Sequence, residues 1–482
     1  MRIQTLAFVL LTLALASAAH ADTFVVTSTA DSGAGTLRQA ILSSNSPAGG
    51  AHTLVFTAAF PVNGIILLNT DLPQIASQRL VVIGTDKQPR IDGQSLHAIF
   101  KLSTTTTALE LYDLTLQNAL SPERGACVNS GSSASTGSLQ AERVTFSNCR
   151  ASGPSLIYGG AIYWNRSNDA VSLTDSRFLD NVAEATAANG QSSGGAVYAY
   201  GNVFTTRVLF EGNAALSISG GSTGGAISAN GVGRLNTLFD STFRANTASA
   251  GSAILGYGGG IYLGCSDCTT LMRRNYLRGN SANYGGAIYA RKPDSGSPDV
   301  VLELSNSTFY NNSVIDEGGA IYMGGGAGIY AANNTFYNGD ASAGAHLAFG
   351  VNQVSQVLLF RANLLAPTYA GSACSGSPTI TSPSFVGFNL FDDTSCASLS
   401  ASALPNSPLG SVFVDERAGM LSVLRFSGGA VIDSISNSAI CEPLDARNQV
   451  RPIDGDGDGT AWCDVGAFED PRDIIFINGF DA

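Results

Sequence analysis

Gly285-Gly286-Ala287-Ile288-Tyr289 opens, and Phe309-Tyr310-Asn311-Asn312 closes, a unit that recurs along the middle of the chain. The opener reads GGAIY from Gly159, GGAVY from Gly194, GGAIS from Gly224, GGGIY from Gly258, and GGAIY again from Gly285 and Gly318. The spacings of 35, 30, 34, 27 and 33 residues are those of a stacked solenoid, whose units cannot bury their apolar faces alone. The closers pair Phe178 with Asn181, Phe210 with Asn213, Phe243 with Asn246, Phe309 with Asn312 and Phe360 with Asn363. Leu277/Asn280 reads as a variant and Phe336/Gly339 as a degenerate copy.

Within a unit the apolar period is two, a strand signal. Val171 and Leu173, Val203 and Thr205, Leu302 and Leu304, and Ile329 and Ala331 precede their closing Phe, and a polar residue follows each pair, as at Asp175, Arg207, Asp240, Asn306 and Asn333. Backbone donors and acceptors of such strands need partners, and the natural partner is the same strand one repeat later, about 4.8 Å away. The expected fold is therefore all-β, a parallel β-helix solenoid. Ile162, Val197, Ile227, Ile261, Ile288 and Ile321 form an inward aliphatic column, and the closing Phe residues a second one. The closing Asn is expected at a turn, bonding neighbouring backbone and tolerating left-handed dihedrals. Paired glycines suit a close-packed corner.

The GGAI and FxxN phrases, over roughly residues 120 to 365, resemble the repeats of chlamydial polymorphic membrane proteins and of other bacterial right-handed β-helix surface proteins. The resemblance implies a right-handed, pectin-lyase-like coil, in keeping with the usual hand of parallel crossovers. It says less about function, because adhesins, surface layers and carbohydrate-active enzymes share the scaffold. Near the C-terminus, Leu444-Asp445-Ala446-Arg447-Asn448, Arg451-Pro452 and Cys463-Asp464-Val465-Gly466-Ala467-Phe468-Glu469 resemble the bacterial choice-of-anchor Q domain, with Asn448 standing where Gly is usual. That resemblance implies a surface or secreted protein.

Both ends differ from the middle. Arg2, an apolar run over residues 6–16 and Ala19-His20-Ala21 read as a signal peptide at 1–21, the run being shorter than the about 20 residues a transmembrane helix needs. Residues 22–120 are expected to hold a cap and the first coils, with a short capping helix around Thr36-Leu37-Arg38-Gln39-Ala40-Ile41, which resembles the SLREAI-type start of many secreted β-helix proteins. The repeat region then runs over 121–400, C-terminal coils and a cap over 401–470, and a tail with the character of a sorting signal over 471–482. No transmembrane anchor is expected on the chain, which reads as a monomer that is secreted or held at the cell surface. A net charge of −12 repels nucleic acid and anionic membrane.

The eight cysteines suit an oxidising compartment. Cys127 and Cys149, Cys374 and Cys396, and Cys441 and Cys463 share a spacing of 22, about one coil, and neighbouring coils lie within the Cα range of a disulfide. By motif alignment, however, Cys127 falls at the opener's Ala and Cys149 at the closer's Asn, so those two are not in one column. Cys265 and Cys268 fit a loop disulfide, a redox pair or half a zinc site.

Two sets of residues could bind something. Asp454, Asp456 and Asp458 alternate with glycines and begin as calcium loops do, although Val465 stands where an EF-hand has its twelfth-position Glu; a bound calcium would be structural. Tyr163, Tyr198, Tyr262, Tyr289 and Tyr322 lie on the strand face opposite the Ile column, where they either stack on sugar rings or a partner protein or merely stabilise one another. The fold also serves polysaccharide lyases and hydrolases, but His52, His97 and His346 have no carboxylate, Ser or Cys beside them in sequence, and Arg273, Arg274 and Arg278 read as solvated strand charges. No catalytic residue is assigned. The expected function is adhesion or an extracellular binding scaffold for a polysaccharide or a cell-surface protein, with a polysaccharide-active enzyme as the alternative.

Overall fold

The computed structural model describes residues 21–470 except 47–49, 132–136, 167–169, 252–255, 293–299, 351–354, 367, 382–385, 392, 400–408, 410–411, 417–420 and 427–429. The expected tail, and the signal peptide up to residue 20, lie outside the described residues. What is described is a parallel β-solenoid whose coils build four long sheets of 14, 10, 12 and 11 strands. Each repeat contributes one strand to a sheet and pairs with its own successor. Ile162, Val197, Ile227, Ile261, Ile288, Ile321 and Leu347 stand in register, all buried.

The closing Phe column is stacked ring on ring. Phe146, Phe178, Phe210 and Phe243 follow one another at 4.6, 4.8 and 4.9 Å, Leu277 interrupts, and Phe309 and Phe336 resume at 4.6 Å. Phe336 is thus a full member of the column. Phe360 is not: it pairs with Ala331 in the neighbouring sheet, and Asn363 continues a second polar column with Asn334 and Asn389. Leu365, five residues on, continues the closing Phe column, and the false match arose because Asn363 follows Phe360 at the closer's spacing.

The closing Asn side chains are not at the left-handed turn positions. Those are taken by the residues just before them, Asp180, Gly212, Ala245, Gly279 and Asn311, with φ between 52° and 67°. Asn181, Asn213, Asn246, Asn280 and Asn312 instead point inward and are at most 1% exposed. Each Nδ2 donates to a backbone carbonyl one coil back and, from Asn181 to Asn280, also to the next Asn Oδ1, as Asn246 does to Phe210 at 3.0 Å and to Asn280 at 2.9 Å. A corner that leaves backbone groups unpaired inside the coil is made tolerable by this chain of amides. The glycine pair meets a tighter constraint at the next corner. Gly194 has a φ of +69°, and a Cβ on Gly195 would lie 2.1 Å from the Gly225 carbonyl oxygen of the following coil.

On the outer edge, an alternating column follows the strand before each closer. Arg143 reaches Asp113 at 2.6 Å, Arg207 reaches Asp175 at 2.6 Å and Arg274 reaches Asp240 at 2.7 Å. Such exposed pairs add little each, but opposite charges in successive coils favour the observed register over like-charge slips.

The bottom of the stack is closed by a helix over Leu37–Ser44, capped by Thr36 Oγ1, which accepts from the Gln39 N–H at 3.2 Å. Leu37, Ala40 and Ile41 are buried against the first coils, while Arg38 donates to the Thr70 and Asp71 carbonyls. This covers the strand edge that would otherwise invite pairing with another chain. At the other end the described residues after 409 add no regular coils. Val412–Asp415 and Val423–Phe426 pair antiparallel, and Leu424, Phe426, Val431, Ile435 and Val465 pack on Leu364, Tyr310 and Tyr337 along the flank of the last coils. Glu442 N–H donates to Asn333 Oδ1 at 2.9 Å and Ala467 N–H to Thr335 Oγ1 at 2.9 Å, so the polar positions of the coils become docking points. Among the described residues no helix is long and apolar enough to cross a membrane.

Candidate functional site

The tyrosines that alternate with the inward Ile column face outward, yet two of the five are buried and the other three half-buried. Tyr163 is 3% exposed and Tyr289 5%. What covers them is a second column that the sequence reading passed over, the Tyr immediately before the glycine pair: Tyr158, Tyr257 and Tyr284. The left-handed glycine corner folds that residue back onto the next strand. Tyr158 lies 4.6 Å from Tyr198, Tyr257 4.8 Å from Tyr289, and Tyr284 5.2 Å from Tyr322. Burial raises the phenols of Tyr158, Tyr163, Tyr257, Tyr262 and Tyr322 above their ordinary value of 10, so these are neutral hydrogen-bonding groups at any physiological pH.

The opener column is interrupted at one level and the column before the glycines at two. Ser228 stands between Tyr198 and Tyr262, and Ser193 and Thr223 stand between Tyr158 and Tyr257. The interruption opens a cleft of about 460 Å³. Tyr158 and Tyr198 form one wall, Tyr257, Tyr262 and Tyr289 the other, and Ser193, Thr223 and Asn230 line it between them. The hydroxyls are mutually organised: Ser193 Oγ is 2.6 Å from Thr223 Oγ1 and 2.8 Å from Ser228 Oγ, to which Asn230 Nδ2 donates at 3.0 Å. Arg291 borders the upper wall, hydrogen-bonded to Tyr289. The sequence carries two marks here, the Tyr of Tyr-Gly-Gly and Ser228 as the one opener that lacks its Tyr, but neither tells that the two columns meet.

The acidic loop is arranged differently from the expected triad. Asp433, from another segment, comes together with Asp454 and Asp456 so that one oxygen of each lies within 4.8 Å of the others, whereas Asp458 is not part of that group. Asp433 Oδ2 accepts from the Gly455 and Asp456 N–H groups at 2.7 and 2.8 Å, and Asp454 accepts from Gly457 and Gly459. Asp464, one position short of the EF-hand ligand, accepts from Asp433 and Asp470 N–H groups instead.

All eight cysteines are bridged. Cα separations are 5.8 Å for Cys127–Cys149, 5.9 Å for Cys265–Cys268, 5.1 Å for Cys374–Cys396 and 6.6 Å for Cys441–Cys463. Cys127 and Cys149 do occupy different columns, but the opener's third residue faces the Asn column across the corner. Cys149 N–H donates to Asn181 Oδ1 at 3.0 Å, so this bridge terminates the Asn ladder at its lower end. Its upper end is a paired exchange in which Gly339 replaces Asn and His346 replaces the opener's Ala. Burial lowers the His346 pKa to about 4, and its Nε2 lies 2.6 Å from the Ala366 carbonyl oxygen.

The other basic residues do not converge. His97 lies 3.6 Å from Asp71, His52 packs edge-on to Phe24, Arg274 pairs with Asp240, Arg278 with Glu416, and Arg273 lies over the Phe239 ring. None of them lines the tyrosine cleft.

No family model matches the chain. Among curated proteins it is similar to the probable outer membrane protein PmpB of Chlamydia muridarum, with 30% identity over 218 residues, covering 39% of this chain and 12% of that protein. It is similar also to the probable outer membrane protein PmpC of the same organism, with 28% identity over 197 residues, 38% of this chain and 12% of that protein. The chain thus matches about an eighth of the length of these relatives, and it shares with them a homologous segment and no more.

Proposed function

We propose that this chain is a secreted or surface-held β-solenoid scaffold that binds an extracellular ligand through the tyrosine cleft on its flank and serves in adhesion. The observation that carries the reading is the cleft itself: stacked aromatic walls, organised hydroxyls and an amide are groups that hold a ligand, and they sit on a rigid, laterally exposed surface. Four disulfides suit an oxidising compartment. The similarity to two outer membrane proteins supports a place at the cell surface. Beads coated with the purified chain should adhere to polysaccharide-coated or cell-coated surfaces without releasing reducing ends or unsaturated products. Turnover in the same assay would move the protein to the polysaccharide-active class; no adhesion to any surface would remove the binding role.

A bound calcium at Asp433, Asp454 and Asp456 would act as a structural brace for the flanking C-terminal segment. Millimolar calcium should then raise the melting temperature of that segment in the full chain, and Asp456→Asn should remove the rise. An unchanged melting curve with calcium would refute the brace.

A further inference from the structure

We propose that the tyrosine cleft takes an uncharged sugar unit of a neutral glycan, lodged between the Tyr158 and Tyr257 rings over Thr223, with its hydroxyl groups on Thr223 and Asn230. The inference rests on the binding-scaffold reading and names the class of ligand for it.

The opening comes from the column before the glycine pairs. Tyr158, Ser193, Thr223 and Tyr257 are register partners in four consecutive coils, so the backbones of the two tyrosines stand three strand spacings apart, about 14.4 Å. Tyr158 leans onto Tyr198 and Tyr257 onto Tyr289, each in the coil that follows, at 4.6 and 4.8 Å. Both rings lean in the same direction, so the gap between them stays open. Each is held by its neighbour, so little side-chain freedom is lost on binding. The cleft of about 460 Å³ lies in the lower part of the range for small-molecule sites, which suits a short stretch of glycan rather than a folded element of a partner protein.

The floor is polar and already organised. Thr223 and Asn230 are half-buried and Ser193 is 7% exposed. The Ser193 and Thr223 hydroxyls lie 2.6 Å apart, and Ser193 and Asn230 both donate to Ser228, a fully buried residue beneath the floor that fixes their directions without lining the cleft. An apolar side chain seated here would leave the Thr223 hydroxyl and the Asn230 amide facing it unsatisfied. Sugar hydroxyls donate and accept, so they match either sense, while the less polar faces of the ring meet the tyrosine walls.

Charge decides the class. The phenols of Tyr158, Tyr257 and Tyr262 are neutral, and among the described lining residues the titratable group besides the tyrosines is Arg291. That guanidinium sits at the exposed rim and is committed to the protein. It is hydrogen-bonded to Tyr289, and its Nε donates to the Lys292 carbonyl at 3.4 Å. The floor therefore offers a ligand hydroxyl and amide groups and no charge of either sign. A carboxylate or an ammonium seated over Thr223 would exchange water for neutral partners, at a far larger cost than a hydroxyl meets.

Calorimetric titration of the full chain with maltotetraose, cellotetraose and triacetylchitotriose, and with tetragalacturonic acid and deacetylated chitotriose as charged counterparts, tests the assignment. At least one neutral probe is expected to bind about tenfold or more tightly than either charged one. Thr223→Tyr gives this coil the Tyr that its neighbours carry before the glycine pair, where it would fold onto Tyr262 as Tyr257 folds onto Tyr289. It should abolish binding and leave the melting temperature intact, and Asn230→Ala should weaken binding about fivefold to tenfold. Equal or tighter binding of a charged probe, or no binding of any neutral one, overturns the class of ligand. Undiminished binding by a folded Thr223→Tyr overturns the site; should that variant lose its fold, undiminished binding by Asn230→Ala does so. If Thr223→Tyr beads still adhere in the surface assay while no neutral probe binds the wild type, the cleft assignment falls and the scaffold reading survives.

Discussion

Asn246→Ala is expected to lower the stability of the solenoid by about 1 to 3 kcal/mol, more than Phe243→Leu in the adjoining column. Asn246 Oδ1 accepts from both the backbone N–H and the side-chain amide of Asn213, at 3.0 and 2.9 Å, and Nδ2 donates to the Phe210 carbonyl and to Asn280. Asn280 Oδ1 keeps a second donor, the Asn246 N–H at 3.1 Å, and Asn213 Nδ2 keeps the Phe178 carbonyl. Truncation therefore strands chiefly the Asn213 N–H in a site that is 0% exposed, at about 1 to 3 kcal/mol for a buried group left unpaired, while the Phe210 carbonyl keeps the strand bond that its register with the next coil provides. Phe243→Leu is the comparison, because Leu277 occupies the same column one coil later. It should cost less than about 1.5 kcal/mol, as volume-conserving apolar exchanges do. Urea unfolding followed by circular dichroism measures both. A loss below about 1 kcal/mol for Asn246→Ala would show that water or a neighbour satisfies the corner, and the ladder would then be a consequence of the fold rather than a support.

This contrast also explains how far the sequence could be read. Period-two alternation identifies which residues share a column, so the Ile and Phe columns and the parallel stacking were legible from the openers and closers. Periodicity does not say which columns meet at a corner. Tyr158, Tyr257 and Tyr284 fold onto the Tyr of the next strand only because Gly159, Gly258 and Gly285 adopt φ near +64° to +67°, and nothing in residue type alone announces that contact. Nor does a repeat reveal the value of a missing member. Ser228 reads as an imperfect opener, but in three dimensions its small side chain makes the cleft. Asp433 joins Asp454 and Asp456 across more than twenty residues of irregular chain, where no period exists to follow. Phe360 shows the converse error, a phrase that matches the closer by spelling while its register belongs to another sheet.

Arg451→Met is expected to release the C-terminal segment from the flank of the solenoid while the coils stay folded. Arg451 is 6% exposed and Glu469 0%. The guanidinium donates to Glu469 Oε2 at 2.7 Å, to the Asp464 carbonyl at 3.0 Å and to the Gly466 carbonyl at 2.8 Å, which ties together the very stretch that docks on Ala362 and Thr335. Removing one partner of a buried pair leaves an uncompensated charge and costs about 3 to 5 kcal/mol. A segment held by one small apolar cluster and a few polar contacts cannot absorb that, so limited proteolysis should cut within 401–470 long before it reaches the coils. The double variant Arg451→Met with Glu469→Leu should recover part of the loss, since the orphaned carboxylate is then gone. Acidity sets the sign of a further check. Burial raises the pKa of Asp464 well above 3.8, with the nearby Glu469 adding to the shift, and burial likewise raises Glu469 above 4.5. Carboxyls with raised folded values hold protons more tightly in the folded state. Their contribution to stability is therefore complete below the ordinary carboxylate range and is lost as pH rises through the raised values. Arg451→Met should accordingly be closer to wild type at pH 5, where Glu469 can take up a proton, than at pH 8, where it must stay charged without its partner. Equal proteolysis of variant and wild type at pH 8 would mean that the apolar contacts of Leu424, Phe426 and Val465 suffice to hold the segment, and that the buried ion pair orders its loops without anchoring it.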